Sequence, residues 1–240
     1  MGLSFLAGLA WLFVAGAACL LSAGRLKRNA MRLFARAFGV SVAPALYAML
    51  TLPGFFLHEG AHALTALVLR VPIRGATFIP RRAGSLGVGA GVRVARRDTL
   101  RMALIALAPL VVGIVVLGLL TGALAAASSD PRPWVRLPAW LTAANWGTGN
   151  AWITIYLIWS ISSHMAPSTT DMRYVGAGAM AILIGFVVIG VLLVLVGTAL
   201  LDSLGVFLGR LGDGLFVGTV LNMLMLIPVA LVSRLVWRIR

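Results

Sequence analysis

Six apolar segments, at roughly 3–23, 40–69, 102–127, 148–166, 175–201 and 215–236, take up most of this chain. Each is near or above the ~20 residues that a helix needs to span a hydrocarbon core about 30 Å thick. A backbone in lipid must satisfy its own hydrogen bonds, so runs of this length fold as helices. Composition agrees: 61% of the 240 residues are hydrophobic, 11% are charged, and mean hydropathy is +1.03. The expected fold class is an all-α polytopic membrane protein of about six transmembrane helices. A single domain covers 1–240, with its core at about 40–175.

Four stretches depart from plain spans. Residues 25–36 alternate basic and apolar side chains at helical spacing and read as a helix lying along the interface. The second apolar segment is interrupted by Pro53-Gly54, where a kink or break is expected. Residues 73–94 alternate in β-branched and small residues around the turn-like Arg81–Ser85, the pattern of a small membrane-associated β-hairpin. A plain re-entrant loop fits the same pattern. Residues 128–147, with three prolines and three tryptophans, read as an interfacial connector.

The formal net charge of +14 sits in loops beside apolar segments, so nucleic acid is excluded as a partner. Anionic lipid headgroups and the positive-inside rule account for it. Both 25–36, with five Lys/Arg, and 70–101, with eight Arg, flank the second apolar segment. A single crossing there would put one of them outside, whereas a short hairpin broken at Pro53-Gly54 would put both inside. The N-terminal segment has no basic region before it and reads as a retained span rather than a cleaved signal. Cys19 is the only cysteine, so any transition metal must be held by His and carboxylate.

Within the second segment lies His58-Glu59-Gly60-Ala61-His62. On a helix the two imidazoles fall at i and i+4, on one face, where they can share one Zn²⁺. Glu59 lies about 100° around the helix, in reach of a water on such an ion, and can take its proton. Ionisable groups inside a span are costly and usually functional.

Two histidines hold zinc weakly, and a catalytic site needs a third protein ligand. Asp98 and Asp130 sit in arginine-containing loops and read as solvated charges or helix caps. Asp202 and Asp213 bracket a short loop at 203–212, as a helix-end residue and an N-cap. The window Ser162–Asp171 remains, with His164 and Asp171 around Pro167. A carboxylate there can face the pentad, and it can equally serve as an N-cap for the next span.

An HExxH on a membrane helix, a hairpin after it, a helix carrying Ala108-Pro109 and a Pro-containing Asp motif later resemble the site-2 protease family of intramembrane zinc metalloproteases. The resemblance covers roughly His58 to Asp171. It implies one Zn²⁺ per chain held by His58, His62 and Asp171, with Glu59 activating water. It also implies a transmembrane protein or peptide as substrate, unwound beside the hairpin, and a site toward the cytoplasmic side of a bacterial or archaeal cell membrane. The family's usual third-ligand motif is Asn-x-x-Pro-x-Pro-x-x-Asp-Gly. Here Ser163 stands in the asparagine's place and Met172 replaces the glycine, a Pro-Ser-x-x-Asp form that looks like a divergent branch. His164 or Asn150 is left to polarise the scissile carbonyl, so His164 joins Glu59 as a catalytic candidate. Ser162, Ser163, Thr169 and Thr170 are candidates to line a polar path for water.

The function expected is an intramembrane zinc endopeptidase. The alternative is a catalytically inactive membrane metal-binding or adaptor protein of the same fold. A prenyl-protein endopeptidase type is disfavoured, because that class takes a glutamate as third ligand and Glu59 is the only Glu here.

Overall fold

The computed structural model describes residues 3–82, 88–95, 98–124, 146–168, 170–178, 184 and 198–238. Six helices and two strands are assigned: α1 (Leu3–Phe38), α2 (Ala43–Leu50), α3 (Leu52–Val68), β1 (Ile73–Arg82), β2 (Val88–Val94), α4 (Thr99–Leu124), α5 (Gly149–His164) and α6 (Thr198–Arg238). Residues 170–178 are also helical. Three helices are long and apolar enough to cross a membrane, over Ser4–Phe38, Thr99–Gly122 and Leu200–Leu235. All but the last two residues of the expected connector at 128–147, most of the expected fifth span and the turn at 83–87 lie outside the described residues.

Among the described elements α1 and α6 form the most extensive contact, and they run parallel. Ser4 Oγ donates to Asp202, Trp11 Nε1 donates to Asp213 at 2.9 Å, and Ser22 lies opposite Asn222. Lipid tails supply no hydrophobic drive between helices, so close backbone approach and polar contacts must do this work, the latter at roughly 0.6–2 kcal/mol each. Gly8 and Gly205 give the approach, since a Cβ on Gly8 would run into the Gly205 carbonyl.

Two sequence expectations are corrected here. Residues 25–36 are not a separate interfacial helix but the last third of α1, which runs 36 residues, about 54 Å. It ends at Gly39, whose φ of 94° suits a glycine. Asp202 and Asp213 do not bracket a loop, because α6 is continuous through 203–212. Their carboxylates are satisfied by α1, which removes the need for a cap. Asp98 does cap a helix: its Oδ1 accepts from the Arg101 N–H at 3.0 Å, at the start of α4.

The second apolar segment breaks at Thr51 (φ −119°, ψ 36°), two residues before Pro53. Contacts with α5 reverse at the break. Along α2, Tyr47 stacks on His164 and Leu50 O then accepts from the Tyr156 hydroxyl, down α5. Along α3, Gly54 N donates to Ser160 Oγ at 2.8 Å and Phe55 meets the edge of His164, back up α5. The segment is therefore a helix–break–helix hairpin.

α3 ends in a Schellman motif. Val71 N bonds Ala66 O at 2.8 Å, Arg70 N bonds Leu67 O at 3.0 Å, and Arg70 takes the left-handed position at φ 55°. This turn buries Val71 against Ala66 and Ile105 and leads the chain into the hairpin. β1 and β2 pair antiparallel, from Ile73 opposite Val94 to Arg82 opposite Val88, with irregularities at 73/75 and 77/81.

Candidate metal centre

His58 and His62 meet edge to face one turn apart on α3, ring centroids 4.9 Å apart at 86°. The depth of α3 against α5 is set by Gly54, where a Cβ would run into the Ser160 carbonyl. One turn further along each helix are His58 and His164.

His62 is oriented by α4. Its Nδ1 lies 2.8 Å from Ile105 O, and since a carbonyl only accepts, Nδ1 carries the proton and Nε2 is left with its lone pair. The reason this carbonyl is available lies four residues on. Residue 109 is proline, inside α4, and has no N–H to donate back to Ile105.

Asp171 is oriented by its own helix end. Ser168 N donates to Asp171 Oδ2 at 2.8 Å, and Asp171 N donates to Ser168 Oγ at 3.1 Å, a reciprocal cap closed by Asp in place of Glu. Ser168 thus caps the helical segment that carries Asp171. Its other oxygen, Oδ1, is 3.7 Å from His62 Nε2. Both residues are buried, at 9% and 8% exposure.

One donor atom from each of His58, His62 and Asp171 lies within 4.8 Å of the others. Donors about 2.0–2.2 Å from a tetrahedral zinc lie roughly 3.3 Å apart, so a contraction of about an ångström would bring the three onto one ion. The 3.7 Å gap between His62 and Asp171 is too long for a hydrogen bond. His58 Nδ1 is buried with no hydrogen-bond partner among the described residues. Two nitrogens and a carboxylate oxygen are a donor set that suits zinc and leaves a fourth position.

Glu59 is held from the far side. Val92 N, on β2, donates to Glu59 Oε2 at 2.9 Å. The hairpin therefore touches the candidate base directly, through an amide that points away from β1.

Residues of the cluster line two cavities. One, of about 510 Å³, is lined by His62, Asp171, Ile105, Val92, Arg74 and Tyr174. The other, of about 610 Å³, is lined by His58, Glu59, His164, Tyr47, Lys27 and Arg28 among others.

The sequence-derived candidates separate accordingly. His58, Glu59, His62 and Asp171 come together. His164 is outside the donor cluster but shares the larger cavity with His58 and Glu59, and its Nδ1 is buried with no hydrogen-bond partner among the described residues. Asn150 is on the first turn of α5, fourteen residues or about 21 Å along the helix from His164, and takes no part. Ser162 and Ser163 are fully buried and bond back to Trp159 and Ser160 carbonyls rather than lining a path. Thr170 lines the smaller cavity, and Thr169 lies outside the described residues.

Sequence reasoning missed Pro109 as the residue that frees Ile105 O, Val92 as the partner of Glu59, and Lys27 as a cavity residue. The first had a signal: a proline four residues after a candidate acceptor in a helix. Ser168 also had one, the Ser-x-x-Asp spacing of a reciprocal cap. Comparison with protein families, with characterised proteins and with solved structures returns no match.

Proposed function

We propose that this chain is an intramembrane zinc-dependent endopeptidase of the site-2 protease type, with one Zn²⁺ held by His58, His62 and Asp171. The observation that carries this reading is the three-donor cluster with the chain's only glutamate beside it on the same helix. A purely structural site has no need of a base at that position.

When bound, the ion supplies a Lewis acid for the scissile carbonyl and lowers the pKa of water to about 7. Glu59 accepts the proton of the attacking water and returns it to the leaving amine, as the C–N bond breaks and a C–O bond forms. Val92 N–H fixes the carboxylate that moves this proton. Ile105 O holds the His62 ring by Nδ1 and so leaves Nε2 as the nitrogen that faces the cluster. His164 is assigned to the carbonyl oxygen, with its partnerless ring nitrogen in the same cavity as Glu59.

The substrate is a transmembrane peptide, unwound before cleavage because a helix hides its carbonyls. The outer edge of β2 offers replacement hydrogen bonds to an extended chain.

In the membrane we read five crossings rather than six: α1, α4, α5, the apolar segment 175–201, and α6. The α2–α3 hairpin enters and leaves on one side. Parallel α1 and α6 require an odd number of crossings, and this arrangement supplies it. It also gathers the basic stretches 25–36 and 70–101 and the basic end of α6 on one face, the cytoplasmic one by the positive-inside rule, against anionic headgroups.

The deciding test is Glu59→Gln in purified protein. Metal content should stay near one zinc per chain while cleavage of a transmembrane peptide is lost. Undiminished cleavage would remove Glu59 as the base, and a wild-type chain that binds zinc but cuts nothing would favour the inactive metal-binding reading.

A further inference from the structure

The larger cavity has an asymmetry of charge that hydrolysis alone does not use. Its α1 wall is the stripe Gly24, Lys27, Arg28 and Met31, at i, i+3, i+4 and i+7, so one helix face looks into it. Lys27 and Arg28 stand at the rim with accessible side chains, and no carboxylate lies within 4.0 Å of either among the described residues. Against these two cations the cavity holds, among the described residues, a single acid, Glu59, one of whose oxygens is already engaged by Val92 N–H. Two ring nitrogens of residues on the same wall, His58 Nδ1 and His164 Nδ1, are buried with no hydrogen-bond partner among the described residues. Two cations with no carboxylate in ion-pair reach, two buried ring nitrogens with no hydrogen bond among the described residues, and a volume of about 610 Å³ together describe a pocket for a small anionic group.

We propose that this cavity is an anion pocket that takes a peptide carboxylate, with Lys27 and Arg28 as its cationic wall. The proposal deepens the peptidase reading and rests on it for the identity of the ligand. An Arg guanidinium meets a carboxylate through two parallel N–H bonds, and a Lys ammonium adds a mobile point charge. The carboxylate has two sources. It is either the free C-terminus of the substrate or the carboxylate that cleavage creates beside His58 and Glu59. In both cases the pocket draws that end of the peptide toward α1, away from the hairpin-lined cavity.

The test is a binding measurement and needs no turnover. Full-length protein in nanodiscs of zwitterionic lipid is titrated with a fluorescent apolar tetrapeptide, as the free acid and as the amide, and anisotropy is read with and without zinc. The acid should bind about tenfold more tightly than the amide, and Lys27→Gln and Arg28→Gln should each shrink that ratio to about threefold or less. Thermal melts of both variants confirm that they fold. A single-span peptide with a free or an amidated C-terminus separates the sources. Discrimination there assigns the pocket to the substrate's own terminus, and discrimination among short peptides alone assigns it to the product. Equal affinity for acid and amide overturns the proposal. So does a ratio unchanged in both variants, or one erased by adding phosphatidylglycerol, which would make a lipid headgroup the occupant. Acid preference in a protein that never cuts a peptide would leave the pocket standing and remove only the peptidase reading.

Discussion

Asp171 divides its two oxygens: Oδ2 accepts the Ser168 N–H at 2.8 Å, and Oδ1 stands 3.7 Å from His62 Nε2. The bond that caps the helix is also the bond that aims the carboxylate. Asp171→Ala should therefore lose both the ligand and half the cap. Zinc measured by plasma mass spectrometry should fall from near one per chain to a small fraction, with a like result for His58→Ala. Ser168→Ala keeps the ligand but frees its orientation. It should cost about 0.5–2 kcal/mol of stability and weaken zinc by roughly 10–100-fold. Full zinc occupancy in Asp171→Ala would strike it from the ligand set.

Pro109 offers a test that touches no ligand. Pro109→Ala restores an N–H that can claim Ile105 O, and His62 Nδ1 then has a competitor. Zinc affinity should fall by about tenfold while α4 gains helical stability. An unchanged affinity would mean that the His62–Ile105 bond does not tune the site.

What could be read from sequence, and what could not, divides along the range of the interaction. His58, Glu59 and His62 share a helix, so their spacing alone carries their geometry. The hairpin at 73–94 was readable from alternation, which is also local. Ile105 and Val92 were not, because their roles depend on elements 43 and 33 residues away closing onto α3. Asp202 and Asp213 misled for the same reason. A polar, glycine-bearing stretch reads as a loop until the partners that satisfy it, Ser4 and Trp11, arrive from the other end of the chain. Helical spacing places the basic residues of 25–36 along the interface near anionic headgroups, yet Lys27 and Arg28 line the larger cavity beside Glu59.

The contact between Glu59 and Val92 N–H couples the base to the hairpin. Replacing that amide by an ester through nonsense suppression removes the donor with little change of shape. Peptide cleavage should drop by about tenfold, from the loss of a charge-assisted hydrogen bond, with zinc content unchanged. A drop in zinc as well would point to collapse of the hairpin rather than to the lost bond.

Gly54 sets the depth of α3. Gly54→Ala drives a methyl into the Ser160 carbonyl, and neither backbone can yield without moving His58. A destabilisation of about 1–3 kcal/mol is expected from overpacking, with zinc lost in parallel. Gly60, which has open space around its Cβ position, is the control: Gly60→Ala should be tolerated in both measurements.

The parallel pairing of α1 and α6 makes a prediction about sidedness that does not depend on catalysis. Both helices point their basic C-terminal ends the same way, while α5 begins at the opposite end of the bundle. Cys19 is fully buried, so the native chain should give little background with a membrane-impermeant maleimide. Single cysteines at Arg36 and Arg234 should be protected in intact cells and label only after the membrane is opened. A cysteine at Gly147, just before α5, should label from outside without opening. If Arg36→Cys and Arg234→Cys instead label from opposite faces, α1 and α6 cannot lie parallel in the bilayer. The count of five crossings would then fall with the pairing, and six simple spans would become the better description.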